Sequence, residues 1–203
     1  MRVLGIDPGL TRCGVGVVDV AADRSAALVE VTVIRTDPDE PLERRLLTIG
    51  DRIAGLMDEH RPDAIAIERV FAQHNVRTVM GVAQISGVAL HAAATRGLRV
   101  GLHTPSEVKA AITGYGTAEK RQVQNMVARV LGLAQIPKPA DAADALAIAI
   151  CHAWRTPYVA ADATGSALTP AQKAWLAAER SSGRSSARRI PSGTGRAAGP
   201  LGR

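Results

Sequence analysis

The sequence predicts a mixed α/β fold in which a central sheet of antiparallel and parallel strands is flanked by helices. Three Val-rich apolar segments follow one another with only short turns between them, which is typical of an antiparallel meander. A segment with helical periodicity then leads to a fourth apolar segment. Because such crossovers return the chain in the same direction, strands one and four are predicted to be parallel.

The predicted strands are short segments rich in Val, Ile, Leu and Ala. The first ends at Asp7, where Pro8-Gly9 begins a turn. A polar break around residues 22–25 separates the second strand from the third. In chain order the five strands are predicted over residues 2–7, 13–20, 27–35, 63–70 and 98–102.

The predicted helices alternate with the later strands. Leu and Ile recur at helical spacing over residues 41–60, Pro41 suits the first turn of this helix, and Pro62 ends it. The next helix is predicted over residues 75–96. Three more follow the fifth strand, near residues 105–112, 119–132 and 141–154.

The 203 residues suffice for one domain with a sizeable core, which we expect over residues 1–160. From about residue 165 the chain turns to Ser, Gly, Ala, Pro and Arg, so residues 161–203 are predicted to form a largely disordered basic tail. Five arginines and no acidic residue lie in residues 181–203, and the net charge of the whole chain is only +6. The charge therefore describes the tail more than the domain.

Composition also bounds the class of protein. No apolar run approaches the roughly 20 residues that span a bilayer, and the N-terminus lacks the pattern of a secretory leader. The two cysteines, Cys13 and Cys151, fit reduced thiols better than a disulfide framework. A cytoplasmic protein is the expectation.

Two carboxylates stand at the ends of predicted parallel strands. Asp7 ends the first strand and Glu68 lies near the end of the fourth, and ligand sites in open α/β sheets lie at such carboxyl ends. Side chains alternate along a strand, so Asp7 shares a face with Gly5, and Glu68 shares one with Ala64 and Ala66. We expect a closely packed element to cover this face of small residues.

The segment KPADAADALAIAICHAW supplies a candidate for that element. It predicts a helix whose Ala residues permit close approach to the sheet, and Asp141 and Asp144 share one side of it at spacing i, i+3. The N-terminal end of a helix favours ionised acids, so we expect low pKa values for these two carboxyls. If the helix packs on the sheet, four carboxylates meet.

Four carboxylates in one place need a counter-charge, and sets of oxygen ligands suit Mg²⁺ or Mn²⁺. Two such ions are a known solution for phosphodiester cleavage. Taken one at a time, Asp7 is also consistent with a turn former, Glu68 with an exposed edge charge and Asp141 with a helix N-cap. Asp144 is harder to explain this way, because a lone acid inside an apolar helix is costly.

The motifs GIDPG, AIERVF and ADAADALAIAICH, in this order and spacing, closely resemble the RuvC-type Holliday-junction resolvases. The resemblance covers roughly residues 1–155 and includes SEVKAAITGYGTAEKRQVQNMV. It implies an RNase H-like fold, a homodimer, and symmetric Mg²⁺-dependent nicking of two strands of a four-way DNA junction. It also implies the RuvA/RuvB branch-migration complex as a partner. The acidic set of the family matches Asp7, Glu68, Asp141 and Asp144, although some relatives have His in place of Asp141.

The resemblance also assigns candidate DNA contacts. Phe71, the one phenylalanine of the chain, is consistent with a core residue, but its match to the family favours stacking on a base at the opened junction. Lys109 and Lys120 match basic positions of the family and would anchor the backbone near the scissile phosphate. Further phosphate contacts with weaker support are Arg69, Arg77 and Arg121.

Other functions remain open at this point. A nuclease of the RNase H-like class with another substrate is the nearest alternative, and a non-catalytic junction-binding protein would leave the acids without a role. An ATPase of the actin, Hsp70 and sugar-kinase type also begins with a strand, an Asp and a glycine turn. The chain is short for the duplicated body of those ATPases and shows no second copy of the motif.

Overall fold

A five-stranded sheet with helices on both faces organises the computed structural model, which describes residues 1–69 and 76–156. The strands are β1 (Arg2–Asp7), β2 (Arg12–Val20), β3 (Ala26–Arg35), β4 (Ala64–Glu68) and β5 (Arg99–His103). The helices are α1 (Leu42–His60), α2 (Val76–Thr95), α3 (Pro105–Thr113), α4 (Lys120–Val130) and α5 (Ala140–Arg155). Every predicted strand and helix is present, with bounds that differ by no more than two residues.

The sheet has the strand order β3-β2-β1-β4-β5. β1, β2 and β3 form the predicted antiparallel meander, and β1 pairs with β4 in parallel, as the crossover through α1 requires. β5 extends the parallel part of the sheet beside β4. The carboxyl ends of β1, β4 and β5 therefore lie at one edge, which is where Asp7 and Glu68 are placed.

The two faces of the sheet carry separate hydrophobic cores. Leu4, Ile6, Ile65 and Ile67 are fully buried on the face that α1 and α2 cover. Val3 and Ala66 belong to the core on the opposite face, together with residues of α3, α4 and α5. This division confirms the predicted alternation, in which the small residues and the carboxylates share the second face.

Glycines on two neighbouring strands allow α5 to lie directly on the sheet. A Cβ at Gly5 would collide with the carbonyl of Ala145 and with Ala149, and a Cβ at Gly14 would collide with the carbonyl of Asp141. Since Gly14 pairs with Asp7 in the β1–β2 register, the same contact brings the first turn of α5 beside Asp7. The predicted close packing of the Ala-rich helix is confirmed.

Cys13 and Cys151 are free, and both are buried. Each belongs to a different core, on opposite faces of the sheet, so a disulfide between them is excluded and the predicted thiols are confirmed. Within the described parts of the chain, no helix has both the length and the apolar character needed to cross a membrane. The predicted tail of residues 161–203 and its boundary at residue 160 lie outside the described residues and stay predictions.

Candidate active site

A cavity at the carboxyl edge of the sheet collects the four predicted carboxylates. It has a volume of about 320 Å³, and its walls come from β1, β4, α3, α4 and α5. Asp7 and Glu68 enter it from the ends of two neighbouring strands, and Asp141 and Asp144 enter it from the first turns of α5. Lys109 of α3 and Lys120 of α4 complete its charged lining.

The carboxylates lie close enough together to share cations. One oxygen from each of Asp7, Asp141 and Asp144 lies within 4.8 Å of the others. Glu68 lines the same cavity from the end of the neighbouring strand, which adds a fourth carboxylate to this group. Each of the four side chains is partly exposed, so the oxygens remain reachable from the cavity.

Burial and like charges shift the protonation of this cluster. Burial, with Glu68, Asp144 and Asp141 nearby, raises the pKa of Asp7 from 3.8 to about 7. Burial also raises the pKa of Glu68, and the nearby Asp144 adds to that rise. A set of carboxylates that resist ionisation side by side is a set of oxygen donors that a divalent cation would stabilise.

The expectation of a low pKa for Asp144 is wrong. Burial raises the pKa of Asp144 despite the opposing effect of Lys120. The dipole of a helix contributes roughly 0.3–1 kcal/mol near a terminus and favours the ionised acid, whereas the loss of hydration on burial acts in the opposite direction. The position of Asp144 within an apolar helix outweighs its proximity to the helix N-terminus.

Lys120 is the closest cation to the acidic group. Its Nζ lies 2.6 Å from Oδ2 of Asp144, and this hydrogen bond raises the pKa of Lys120. Lys120 is also the first residue of α4, the end at which a helix dipole disfavours a cation. Helix stability therefore does not account for a lysine here, whereas the neighbouring carboxylates do.

Arg12 also contacts the carboxylates, and the sequence-based reasoning missed it. Its Nε lies 3.1 Å from Oδ2 of Asp141. Arg12 begins β2 directly after the turn that follows Asp7, so its short distance in sequence from Asp7 was the available signal. Its partner is 129 positions away in the chain, and only the packing of α5 on Gly14 brings the two together.

Of the remaining predicted DNA contacts, two lie around the cavity, and the side chains of the other two are not among those that the structure describes. Arg69 is exposed directly after Glu68, and its backbone N–H donates to the carbonyl of His103 at 2.7 Å. Arg121 is exposed beside Lys120. Phe71 lies outside the described residues, and Arg77 is described only as part of the backbone of α2.

The simpler interpretations of the individual acids do not fit their positions. β4 lies between β1 and β5, so Glu68 is not on an edge strand. The residue preceding α5 is Pro139, which makes no side-chain cap, and Asp141 lies inside the first turn rather than at the N-cap. Both side chains point instead into the shared cavity.

Comparison with known proteins gives consistent matches over most of the chain. The family model described as crossover junction endodeoxyribonuclease RuvC matches residues 3–152. The protein of that name from Leifsonia xyli subsp. xyli is 70% identical over an alignment of 198 positions, and the alignment covers 92% of this chain and 95% of the relative. RuvC of Thermus thermophilus in complex with a Holliday junction substrate has a TM-score of 0.74 and 39% identity, covering 77% of this chain and 95% of that chain.

The strand order and the carboxylates at the ends of β1 and β4 define the class, which is that of the RNase H-like nucleases, and the structural neighbours share this fold. The family model spans well over half of the chain. The chain therefore belongs to the RuvC family of crossover junction endodeoxyribonucleases. This membership confirms the predicted family, fold and endonuclease class, and it excludes the ATPase alternative.

Proposed function

We propose that this chain is a Mg²⁺-dependent endonuclease that resolves four-way (Holliday) DNA junctions by symmetric nicking of two strands during recombination and repair. The observation that carries the proposal is the convergence of four carboxylates and two lysines in one cavity. The Thermus thermophilus relative bound to a Holliday junction substrate supports the choice of substrate. Its chain is matched over 95% of its length, so the whole catalytic domain is comparable.

The donor set fits the proposed ion. The four side chains offer only carboxylate oxygens, which suit Mg²⁺ and also Mn²⁺. Asp7, Glu68, Asp141 and Asp144 would hold the metal, and Asp7 lies near the other three acids. Bound there, such ions would supply activation of the attacking water and stabilisation of the leaving oxygen of a phosphodiester.

The lysines supply the second part of the chemistry. Lys109 and Lys120 stand on the α3 and α4 walls, opposite the strand ends that carry Asp7 and Glu68. Their ammonium groups would bind the phosphate of the scissile strand and reduce the cost of negative charge that develops there. The capping box of Thr104 with Glu107 stabilises the start of α3, and the Glu119 N–H donates to Oε1 of Gln122 at the start of α4.

The contacts to the rest of the junction extend this proposal. Phe71 is proposed to stack on a base at the opened crossover, since it matches the family position two residues beyond Arg69. Arg69, Arg77 and Arg121 are proposed to contact backbone phosphates. These contacts would orient the junction so that the scissile phosphate enters the acidic cavity.

A homodimer would place two such cavities on one junction. The outer side of α2 supports it, because the exposed residues described between Met80 and Ala94 are, apart from His91, small or apolar. We call it the α2 surface, and it comprises Met80, Ala83, Gly87, Leu90 and Ala94. A patch of this kind is typical of interfaces between copies of a protein.

The RuvA/RuvB branch-migration complex is proposed as a partner on the basis of the family alone. The cytoplasm is the proposed location, because free thiols are typical of proteins in that reducing compartment.

Replacing Asp7 tests the proposed chemistry. Asp7→Asn keeps the shape of the side chain but removes the anionic oxygen that the metal needs. We expect nicking of a synthetic four-way junction in Mg²⁺ to fall by at least about 10²-fold, the size of losing a group that stabilises developing charge. Junction binding, measured by gel shift, should change little because Asp7 carries no positive charge that could pair with the phosphates.

Asp51→Asn is the matched control, since Asp51 is exposed on α1, away from the cavity. It should cut at the wild-type rate. Normal cutting by Asp7→Asn would contradict the metal-dependent proposal. Binding by the wild-type chain without nicking, in both Mg²⁺ and Mn²⁺, would favour the non-catalytic junction-binding alternative.

A further inference from the structure

A second cavity adjoins the acidic one and has a different electrostatic character. It has a volume of about 390 Å³ and lies between the β1–β2 turn, α1 and α2. Two guanidinium groups line it, those of Arg12 and Arg45, and Asp141 forms the wall that it shares with the acidic cavity. Two cations against one carboxylate leave this cavity with a net positive lining.

Arg45 is the unusual member of this pair. The residue is only 8% exposed, and none of the described carboxylates lies within 4.0 Å of its guanidinium. Some described arginines have an acidic partner, as Arg2 has Asp19 and Arg96 has Asp58. The other described arginines that lack one, such as Arg44 and Arg121, are exposed to solvent, and Arg45 is not. A buried cation without a counter-charge is costly, so its retention calls for an anion from elsewhere.

The hydrogen bonds of Arg45 leave part of its donor capacity free. Its Nε donates to Oγ1 of Thr36 at 2.9 Å, and its Nη2 donates to Oγ1 of Thr11 at 2.9 Å. Its Nη1 makes only a long contact of 3.5 Å to the carbonyl of Pro38. A guanidinium carries five N–H groups, so two of them have no acceptor among the described residues.

Thr36, which accepts a hydrogen bond from Arg45, also holds the turn that leads to Arg12. Thr36 Oγ1 donates to the carbonyl of Leu10, and the Thr36 N–H donates to the carbonyl of Thr11 at 3.2 Å. Through Thr36 and Thr11, Arg45 therefore fixes the position of the β1–β2 turn relative to α1. Arg12 follows this turn directly, so its position depends on the same contacts. Gly9 and Gly81 also line this cavity, and neither contributes a side chain that would screen the guanidinium groups from it.

We propose that Arg45 and Arg12 bind a backbone phosphate of the cleaved strand, next to the phosphate held at the carboxylates. The inference rests on the proposed function, since it assumes DNA in the acidic cavity. A phosphodiester supplies the missing counter-charge, and guanidinium groups bind phosphate through paired N–H donors. Because the two cavities share Asp141, a strand that enters one passes the other.

Binding of chemically modified junctions tests this subsite. A single methylphosphonate replaces each phosphate near the cut in turn, and affinity is measured without added metal so that no cutting occurs. For the wild type, we expect one neutralised phosphate beside the cut to weaken binding. For Arg45→Gln, the slope of log K against log [salt] should fall by about 0.9, and the same methylphosphonate should have no further effect.

Two further variants keep the test independent of folding. Arg12→Gln alters an exposed side chain and should lose the effect of the same methylphosphonate. Arg44→Gln alters the exposed neighbour of Arg45 on α1 and should keep the wild-type slope and pattern. A purely structural Arg45 would lower the melting temperature but leave the methylphosphonate pattern unchanged.

The wild-type slope and pattern in both Arg45→Gln and Arg12→Gln would overturn the inference. That result would leave the proposed function intact, because cutting of the unmodified junction in Mg²⁺ is measured separately. Failure of the wild type to cut would contradict the proposed function, while the binding pattern would still report on the subsite.

Discussion

Asp7 stands at the end of β1, where its carboxyl meets the other acids of the cavity. The strand that carries it and the turn that follows it are evident in GIDPG, and so is the alternation that puts Gly5 on its face. The pKa of about 7 for Asp7 is not evident from this segment, because the shift is caused by burial and by three carboxylates that lie far from Asp7 in the sequence. The residue types at the site could be predicted from the sequence, whereas their protonation depends on the packing.

The arginines of the site mark the limit of prediction at this scale. Arg12 reaches Asp141 and Arg45 reaches Thr11 through long flexible side chains. No spacing rule relates such partners, since their distance depends on how α5 and α1 dock on the sheet. The four acids differ in this respect, because strand ends and helical spacing place them with their backbones.

A buried pair of histidines gives a prediction at the residue scale. Nε2 of His103 and Nδ1 of His152 lie 2.9 Å apart, and Gly101 provides the space for the His152 ring. Burial lowers the pKa of His152 from 6.5 to about 4 and also lowers that of His103. Between these values the unfolded chain binds a proton that the folded chain excludes, so this pair reduces stability as the pH falls from about 6.5 to about 4.

Urea denaturation at a series of pH values measures this effect. Asp7 acts with the opposite sign over the same range, so the useful quantity is the difference between the wild type and His152→Gln. We expect the free energy of unfolding of the wild type to fall relative to this variant by up to about 1.4 kcal/mol per pH unit. His91→Gln, at an exposed position, should track the wild type, and parallel curves for all three would contradict the prediction.

At the scale of the elements, the docking of α5 on the sheet builds the site. The sequence indicated an Ala-rich helix against Gly5, but the roles of Gly14 and Gly16 were not predicted. Gly14 lies under the carbonyl of Asp141, and Gly16 lies under Leu146. In the sequence they are two glycines in a Val-rich strand, and only the β1–β2 register shows that they continue the surface begun by Gly5.

Adding one methyl group at Gly5 tests this account of the docking. In Gly5→Ala the new Cβ would meet the backbone of Ala145 and Ala149, which cannot move without shifting α5. We expect the free energy of unfolding to fall by about 1–3 kcal/mol, measured by urea denaturation. Nicking should fall further than the stability loss explains, because Asp141 and Asp144 move with the helix.

Gly55→Ala is the control for this substitution. Gly55 is an exposed glycine of α1, and a Cβ added there would meet no heavy atom within 4 Å. Alanine there should raise the free energy of unfolding by up to about 1 kcal/mol through its helix propensity. Equal stability of Gly5→Ala and Gly55→Ala would show that α5 does not rest on Gly5.

At the scale of the whole molecule, symmetric cutting requires two sites held together. Gly87 lies at the middle of the α2 surface, and a Cβ there meets no heavy atom within 4 Å. Gly87→Arg should therefore fold normally and place a charge in the proposed interface. We expect the dimer to weaken by roughly tenfold or more, equivalent to about 1.4 kcal/mol, as measured by sedimentation equilibrium.

Gly55→Arg introduces the same side chain at an equally open position on α1 and should leave the dimer unchanged. If Gly87→Arg separates the chains, paired nicks on one junction should give way to single nicks. A dimer of unchanged strength in Gly87→Arg would place the interface elsewhere. The sequence alone could not decide this point, because small residues on a helix serve a core or an interface equally well.

The most direct test of the central claim compares substrates with the unmodified protein in Mg²⁺. A four-way DNA junction, a linear duplex of the same sequence and an RNA–DNA hybrid are offered in parallel, and the products are mapped at nucleotide resolution. The proposed function predicts paired nicks at symmetric positions in the junction and little cutting of the other two. Preferential cutting of the hybrid, with the junction left intact, would contradict it and favour an RNase H-like nuclease with another substrate.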